Sequence, residues 1–221
     1  MIIAIDGPAG SGKSTIARYL ADTLGFVFMN TGSFYRGVTL AYLRAHGGGK
    51  DGSDAVHNGL DDEAAMTAFA RSVPLDYREG RLYIGDEDVD VLLRSDAVEA
   101  LVAPLSGIVP VRHAMNEKIR KAAEGQNIVC EGRDMTTVVF PHADYKFFLD
   151  ASAEERAKRR YEQGTSSLSL AEIEQSIRER DEIDRNKKEG SLKIAEDAVY
   201  IDTSHLTIKD VCDMIISKIH L

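Results

Sequence analysis

Residues 1–15 read MIIAIDGPAGSGKST, and the apolar run Ile2, Ile3, Ala4 and Ile5 passes directly into Gly7-x-x-x-x-Gly12-Lys13-Ser14. Such a junction leaves few architectures open. The run suits a buried parallel strand, and Ser14 to Leu24 carries helical spacing at Ile16, Leu20 and Leu24 before Gly25 stops it. Strand, glycine loop and helix in this order form a phosphate cradle. Glycines let the backbone wrap an anion, so that successive N–H groups and the helix N-terminus point at it. Within the cradle Gly7, Pro8, Ala9, Gly10, Ser11, Gly12, Lys13, Ser14 and Thr15 would hold the phosphates of a nucleotide. Lys13, expected to face solvent otherwise, would reach the β and γ phosphates, and the Ser14 hydroxyl would ligate Mg²⁺.

The remaining segments continue the alternation of strands and helices. Phe26–Met29 reads as a strand, Asn30-Thr31-Gly32 as a turn, and Phe34 to His46 as a helix. The glycine-rich stretch 47–53 suits a hinge. Asp61–Ser72 looks helical, and Val73–Tyr77 with Arg81–Gly85, split by Arg78-Glu79-Gly80, looks like a hairpin. Residues 53–93 thus form a small inserted α+β lobe on a core of 1–52 and 94–221. Helical pattern returns over Arg94–Ser106 and Val111–Glu124, then Asn127–Cys130, Tyr145–Leu149 and Ala198–Ile201 supply strands. Helices are expected at Glu154–Gln163, Leu170–Asp184 and Ile208–His220. This order predicts an α/β fold, a parallel sheet with helices on both faces.

Composition removes several classes of function. The 221 residues are 43% hydrophobic, enough for a full core, and no apolar run approaches the roughly 18 residues of a membrane span. A strand starting at Met1 leaves no room for a targeting peptide, so the expected location is the cytoplasm. A formal charge of −9 argues against general nucleic-acid affinity. Cys130 and Cys212 lie in apolar segments, as core cysteines do, and the histidines show no zinc-ligand spacing. Anionic ligands must therefore be met locally, which makes the arginines informative.

The guanine-reading motif of a GTPase is missing, because Asn186-Lys187-Lys188-Glu189 lacks its aspartate. A mechanical ATPase would end a long strand in paired acids near a catalytic glutamate, whereas Ile128-Val129-Cys130 leads into Glu131-Gly132-Arg133-Asp134. That string follows an expected core strand at its carboxyl end, where open α/β sheets bind ligands. Further arginines stand at Arg36, Arg112, Arg156, Arg159, Arg160, Arg178, Arg180 and Arg185. Arg156 and Arg160, four residues apart on one helix, would repel each other unless an anion sat between them. The loop 164–167 beyond them has the composition of a closing lid, spanning about 156–170.

Together, Thr31-Gly32-Ser33-Phe34-Tyr35-Arg36, Gly132-Arg133-Asp134-Met135, Thr137-Val138-Val139-Phe140-Pro141, Leu149-Asp150-Ala151-Ser152 and Arg180-Asp181-x-x-Asp184 resemble the bacterial-type cytidylate kinase family over nearly the whole chain. The resemblance implies the nucleoside monophosphate kinase fold with a five-stranded parallel sheet, the 53–93 lobe being the insert of the longer form. It implies ATP-dependent, Mg²⁺-dependent phosphorylation of CMP or dCMP. Residue by residue, it assigns Thr31, with Tyr35 beside it, to the acceptor nucleotide and Arg36 and Arg133 to the CMP phosphate. Arg112 and Asp134 would read cytosine, Arg180 and Asp184 would hold the sugar, and Arg156 and Arg160 would serve ATP and the lid. Lys13, Arg133, Arg160 and Arg180 would act on the moving phosphoryl group. Two positions depart from the pattern. Ala103 replaces a base-contacting serine of some relatives, and Lys187 replaces a phosphate-binding arginine, losing its planar fork. Monomer is the default assembly. Another nucleoside monophosphate kinase or a nucleotide-sensing regulator would keep the phosphate loop, but the former should lose the Arg112 and Asp134 pairing with cytosine.

Overall fold

Ile2, Ile3, Ala4 and Ile5 form, with Asp6, the strand β1 (Ile2–Asp6) of a computed structural model that describes residues 1–46, 62–164 and 168–220. Ile3, Ala4 and Ile5 are wholly buried, as a strand covered on both faces requires. The sheet also holds β2 (Val27–Asn30), β6 (Ile128–Gly132), β7 (Tyr145–Asp150) and β8 (Val199–Asp202). The five strands are parallel, in the order β2-β6-β1-β7-β8. The chain leaves β1 in one direction and β6 in the other, so the switch point of the sheet falls between these two neighbours. Their register pairs Asp6 with Gly132 at the carboxyl ends.

Helix α1 (Lys13–Leu24) turns Ile16, Ala17, Leu20 and Ala21 onto the sheet and ends at Gly25, whose φ of 68° suits a left-handed cap. These side chains join Ile3, Ile5, Val129 and Phe147 in one core cluster, where each fully buried large side chain contributes roughly 1.5–3 kcal/mol. Cys212 lies in this cluster, and both cysteines are free and buried, as their apolar surroundings predict.

By contact density the chain divides into two compact units, Met1–Met29 with Gln126–Leu221, and Asn30–Gly125. The second unit contains α2 (Gly32–Ala45), α3 (Glu63–Ser72), α4 (Asp96–Leu105) and α5 (Val109–Ala123). Its antiparallel sheet holds β3 (Leu75–Arg78), β4 (Arg81–Ile84) and a short β5 (Glu87–Asp88) that the alternation in the sequence did not announce. Glu79 and Gly80 both take positive φ, 51° and 77°, the two-residue turn that matches strand twist in a tight hairpin. The expected helix from Arg94 is instead a 3₁₀ turn at Leu92–Arg94, a break at Ser95, and then α4. In the first unit, α6 (Ala153–Glu162) and α7 (Leu170–Asn186) pack through Ala157, Ile173 and Ile177. Ser169 and Glu172 form a capping box that starts α7. The last helix, α8 (Ile208–Ile216), stops short of the expected His220. The expected hinge at 47–53 and loop residues 165–167 lie outside the described residues. Among the described residues no helix is long and apolar enough to cross a membrane.

Candidate active site

The loop between β1 and α1 can close because three of its glycines adopt positive φ: Gly7 at 152°, Gly10 at 78° and Gly12 at 88°. At Gly7 a Cβ would lie 2.0 Å from the Leu149 carbonyl oxygen, so only glycine fits there. Lys13 is not solvent-facing, contrary to the sequence expectation. It is 4% exposed, and its Nζ donates to the Pro8 carbonyl at 2.6 Å and to Ser11 Oγ at 3.3 Å. The loop thus folds the ammonium over its own backbone. Burial first, and then the charge of Arg133, lower its pKa to about 7, although Glu131, Asp6 and Asp184 pull the other way. Ser14, exposed at the helix start, donates to Glu131 Oε1 at 2.8 Å.

The turn after β6 is held from beneath. Asp6 Oδ1 accepts from the Met135 amide at 2.8 Å, and Oδ2 accepts from the Thr136 amide and hydroxyl at 2.7 and 2.6 Å. Burial raises the Asp6 pKa to about 6 against these hydrogen bonds. Held so, Met135–Val139 forms a π-helical turn, with the Phe140 amide donating to the Met135 carbonyl at 2.7 Å. Arg133 and the buried Asp134 stand at its start. Arg133 Nε donates to Asp184 Oδ2 at 2.9 Å, and Lys187 Nζ lies 2.8 Å from Asp184 Oδ1. Burial pushes the Asp184 carboxyl up, but the two cations outweigh it and hold the pKa below the usual carboxylate range. Lys187 is therefore paired at the end of α7, beyond a plain helix-capping charge.

Arg156 is 3% exposed and meets Asp181 through two hydrogen bonds, Nη1 to Oδ1 at 3.1 Å and Nη2 to Oδ2 at 2.5 Å. The anion that faces Arg156 is thus a carboxylate of the chain itself, while Arg160 and Arg180 are exposed on α6 and α7. A cavity of about 560 Å³ lies beside Arg156, between Asp150, Ser152, Asp181, Tyr200 and Asp202.

The second unit carries Thr31, Tyr35, Arg36 and Arg112. Thr31 precedes α2 and is buried, and Arg36 Nε donates to Glu99 Oε1 at 3.0 Å. Arg112, 5% exposed on α5, donates from Nη1 to the Ser106 carbonyl at 3.2 Å and stands 5.6 Å over the Tyr35 ring. Ala103 is exposed on α4, and its carbonyl accepts from Ser106 Oγ.

The sequence assigns no role to three residues of this site: Asp6, and Glu131 and Asp181 within the quoted motifs. Each had a signal. Asp6 and Glu131 sit at or next to the carboxyl ends of adjacent core strands, and Asp181 lies three residues before Asp184 on the same helix face.

Over residues 3–221 the chain matches the profile of the family described as cytidylate kinase. The cytidylate kinase of Caldanaerobacter subterraneus subsp. tengcongensis is 41% identical over 221 residues, covering 98% of this chain and 93% of that protein. That of Fusobacterium nucleatum subsp. nucleatum is 38% identical, covering 99% and 97%. Among solved structures, an uncharacterized protein from Eubacterium ventriosum is 13% identical with a TM-score of 0.51, covering 98% of this chain and 96% of that one. That likeness is one of fold.

Proposed function

Because the chain belongs to the cytidylate kinase family, we propose that it transfers the γ-phosphoryl group of ATP in line to the phosphate of CMP or dCMP, in pyrimidine nucleotide metabolism. The observation that carries this reading is the register of β1 and β6. It sets a phosphate loop and an Arg133-Asp134 turn on neighbouring strand ends, one suited to a polyphosphate and the other to a second anionic ligand.

The acceptor is a phosphate monoester, already anionic at neutral pH, so the reaction needs no general base. It needs alignment of two anions that repel each other, and compensation of charge on the group in flight. Residues 7–15 cradle the donor phosphates, and the cavity beside Arg156 takes the nucleoside part of ATP. Lys13 leaves its loop carbonyl for the β and γ oxygens, while Arg133, Arg160 and Arg180 meet the moving group. Thr31, Tyr35, Arg36 and Arg133 hold the acceptor and its phosphate. Arg112 and Asp134 read cytosine, since a carboxylate accepts from its amino group but opposes the O4 acceptor of uracil. Asp184 and Arg180 hold the sugar, with Lys187 steadying Asp184.

The residues fit Mg²⁺. Ser14 Oγ and Glu131 are hard oxygen donors within 2.8 Å of each other, whereas both Asp6 oxygens are taken by the turn after β6. Among the described residues no cluster of three or more His, Cys, Asp or Glu could hold a metal alone, so the nucleotide would complete the coordination. Ser14 and Glu131 would hold Mg²⁺, which would supply charge that neutralises the donor phosphates. We further assign 53–93 as a CMP-side lobe on a core of 1–52 and 94–221, and a monomer in the cytoplasm.

An ADP-release assay across CMP, dCMP, UMP, AMP and GMP tests the reading. It expects turnover with CMP and dCMP far above the purine nucleotides. Equal rates with AMP would point to a different nucleoside monophosphate kinase, and slow turnover with all five to a sensor.

A further inference from the structure

Arg156 spends its hydrogen-bonding capacity on the chain itself. Nε donates to the Ala151 carbonyl at 2.9 Å, Nη1 to the Ala9 carbonyl at 3.0 Å and to Asp181, and Nη2 to Asp181 again. A guanidinium has five N–H groups, and these bonds use four of them. Its charge is matched by a carboxylate that is 6% exposed, in the planar two-point geometry that fixes orientation as well as position. Ala9 belongs to the phosphate loop, and Asp181 to the helix that carries Arg180 and Asp184 and ends at Lys187. The loop also packs directly on this residue, for a Cβ at Gly10 would lie 3.2 Å from Arg156 Cβ.

We infer that Arg156 and Asp181 are positioning residues that tie the phosphate loop to α7, so that the donor loop and the acceptor-side cations align as one body. The inference rests on the ATP-dependent kinase reading above. It gives Arg156 an action on ATP through the backbone of Ala9 rather than through a contact with phosphate.

Two effects oppose each other here, which makes the inference testable. If Asp181 merely screened Arg156, removing the carboxylate would leave a free cation beside a polyanion, and ATP would bind more tightly. If the pair positions the loop, the same change loosens it. The full-length wild type, Asp181→Asn, Arg156→Lys and the double variant are compared in steady-state kinetics with ATP varied at saturating CMP, together with thermal unfolding. We expect each single variant to lower kcat roughly ten- to a hundredfold, with no fall in the KM for ATP. The double variant should be no slower than the poorer single one, because both break the same coupling. A lower KM for ATP with kcat retained in Asp181→Asn overturns the inference. So does a lower Tm with full kcat per folded molecule, which is what a purely structural pair would give.

Should the variants not fold, hydrogen exchange on the wild type decides. A non-hydrolysable ATP analogue alone should slow exchange both in residues 7–12 and in the α7 segment 177–184; slowing confined to the loop contradicts the coupling. A wild type that does not turn over CMP would count against the kinase reading instead, and the exchange result would still judge the tie between loop and helix.

Discussion

Lys13 shows how a single charge is held ready. Buried under its own loop and facing Arg133, it has a pKa near 7, well below its ordinary 10.5. The unfolded chain would bind the extra proton between these values, so this group makes stability rise with pH from about 7 to 10.5. Polyphosphate beside the amine favours its charged form, so binding should return the proton. At pH 8, where ATP itself is almost fully ionised, calorimetry in buffers of different ionisation enthalpy should find uptake approaching about one proton per ATP. Lys13→Met should abolish it, and a buffer-independent enthalpy in the wild type would contradict the account of this lysine. Asp134, proposed to read the acceptor base, is 3% exposed at the head of the π-helical turn. Asp134→Asn should narrow the preference for CMP over UMP by orders of magnitude in kcat/KM, since a site that hydrogen-bonds its substrate rejects mismatches strongly. Equal losses on both substrates would assign Asp134 to structure alone.

Among the elements, α7 carries Asp181 and Asp184 three residues apart on one face and ends at Lys187, which caps it and pairs with Asp184. Its C-terminal turn holds Asp184 between Arg133 and Lys187. An ammonium supplies charge there without the fixed fork of a guanidinium, so removing the charge should hurt more than reshaping it. Lys187→Ala should lower kcat several-fold or more while Lys187→Arg stays close to wild type, with little change in Tm because Asp184 keeps Arg133. Equal kcat for wild type and Lys187→Ala at saturating CMP would reduce this lysine to a helix cap. The helix itself was legible in the sequence, as were β1, α1 and the β3–β4 hairpin, because apolar period, caps and turn residues are local signals. What was not legible depends on distant partners. The π-helical turn exists because Asp6 reaches Met135 across 129 positions, and Arg156 finds its carboxylate 25 positions on. Local periodicity carries neither. The burial of Lys13 escaped for the same reason, since it follows from how the glycine loop folds back rather than from the identity of the residue.

At the scale of the whole molecule the residues proposed for CMP come from both compact units. The phosphate loop, Arg133, Asp134 and the α7 residues belong to the unit built on the parallel sheet, while Thr31, Tyr35, Arg36 and Arg112 belong to Asn30–Gly125. A transfer between two substrates requires that water not replace the acceptor. The decisive measurement is therefore the fate of the phosphoryl group. With ATP labelled at the γ-phosphate and CMP present, the label should appear as the β-phosphate of CDP, one CDP for each ADP formed, with little inorganic phosphate. Labelled inorganic phosphate accumulating in step with ADP, and no labelled CDP, would contradict the account.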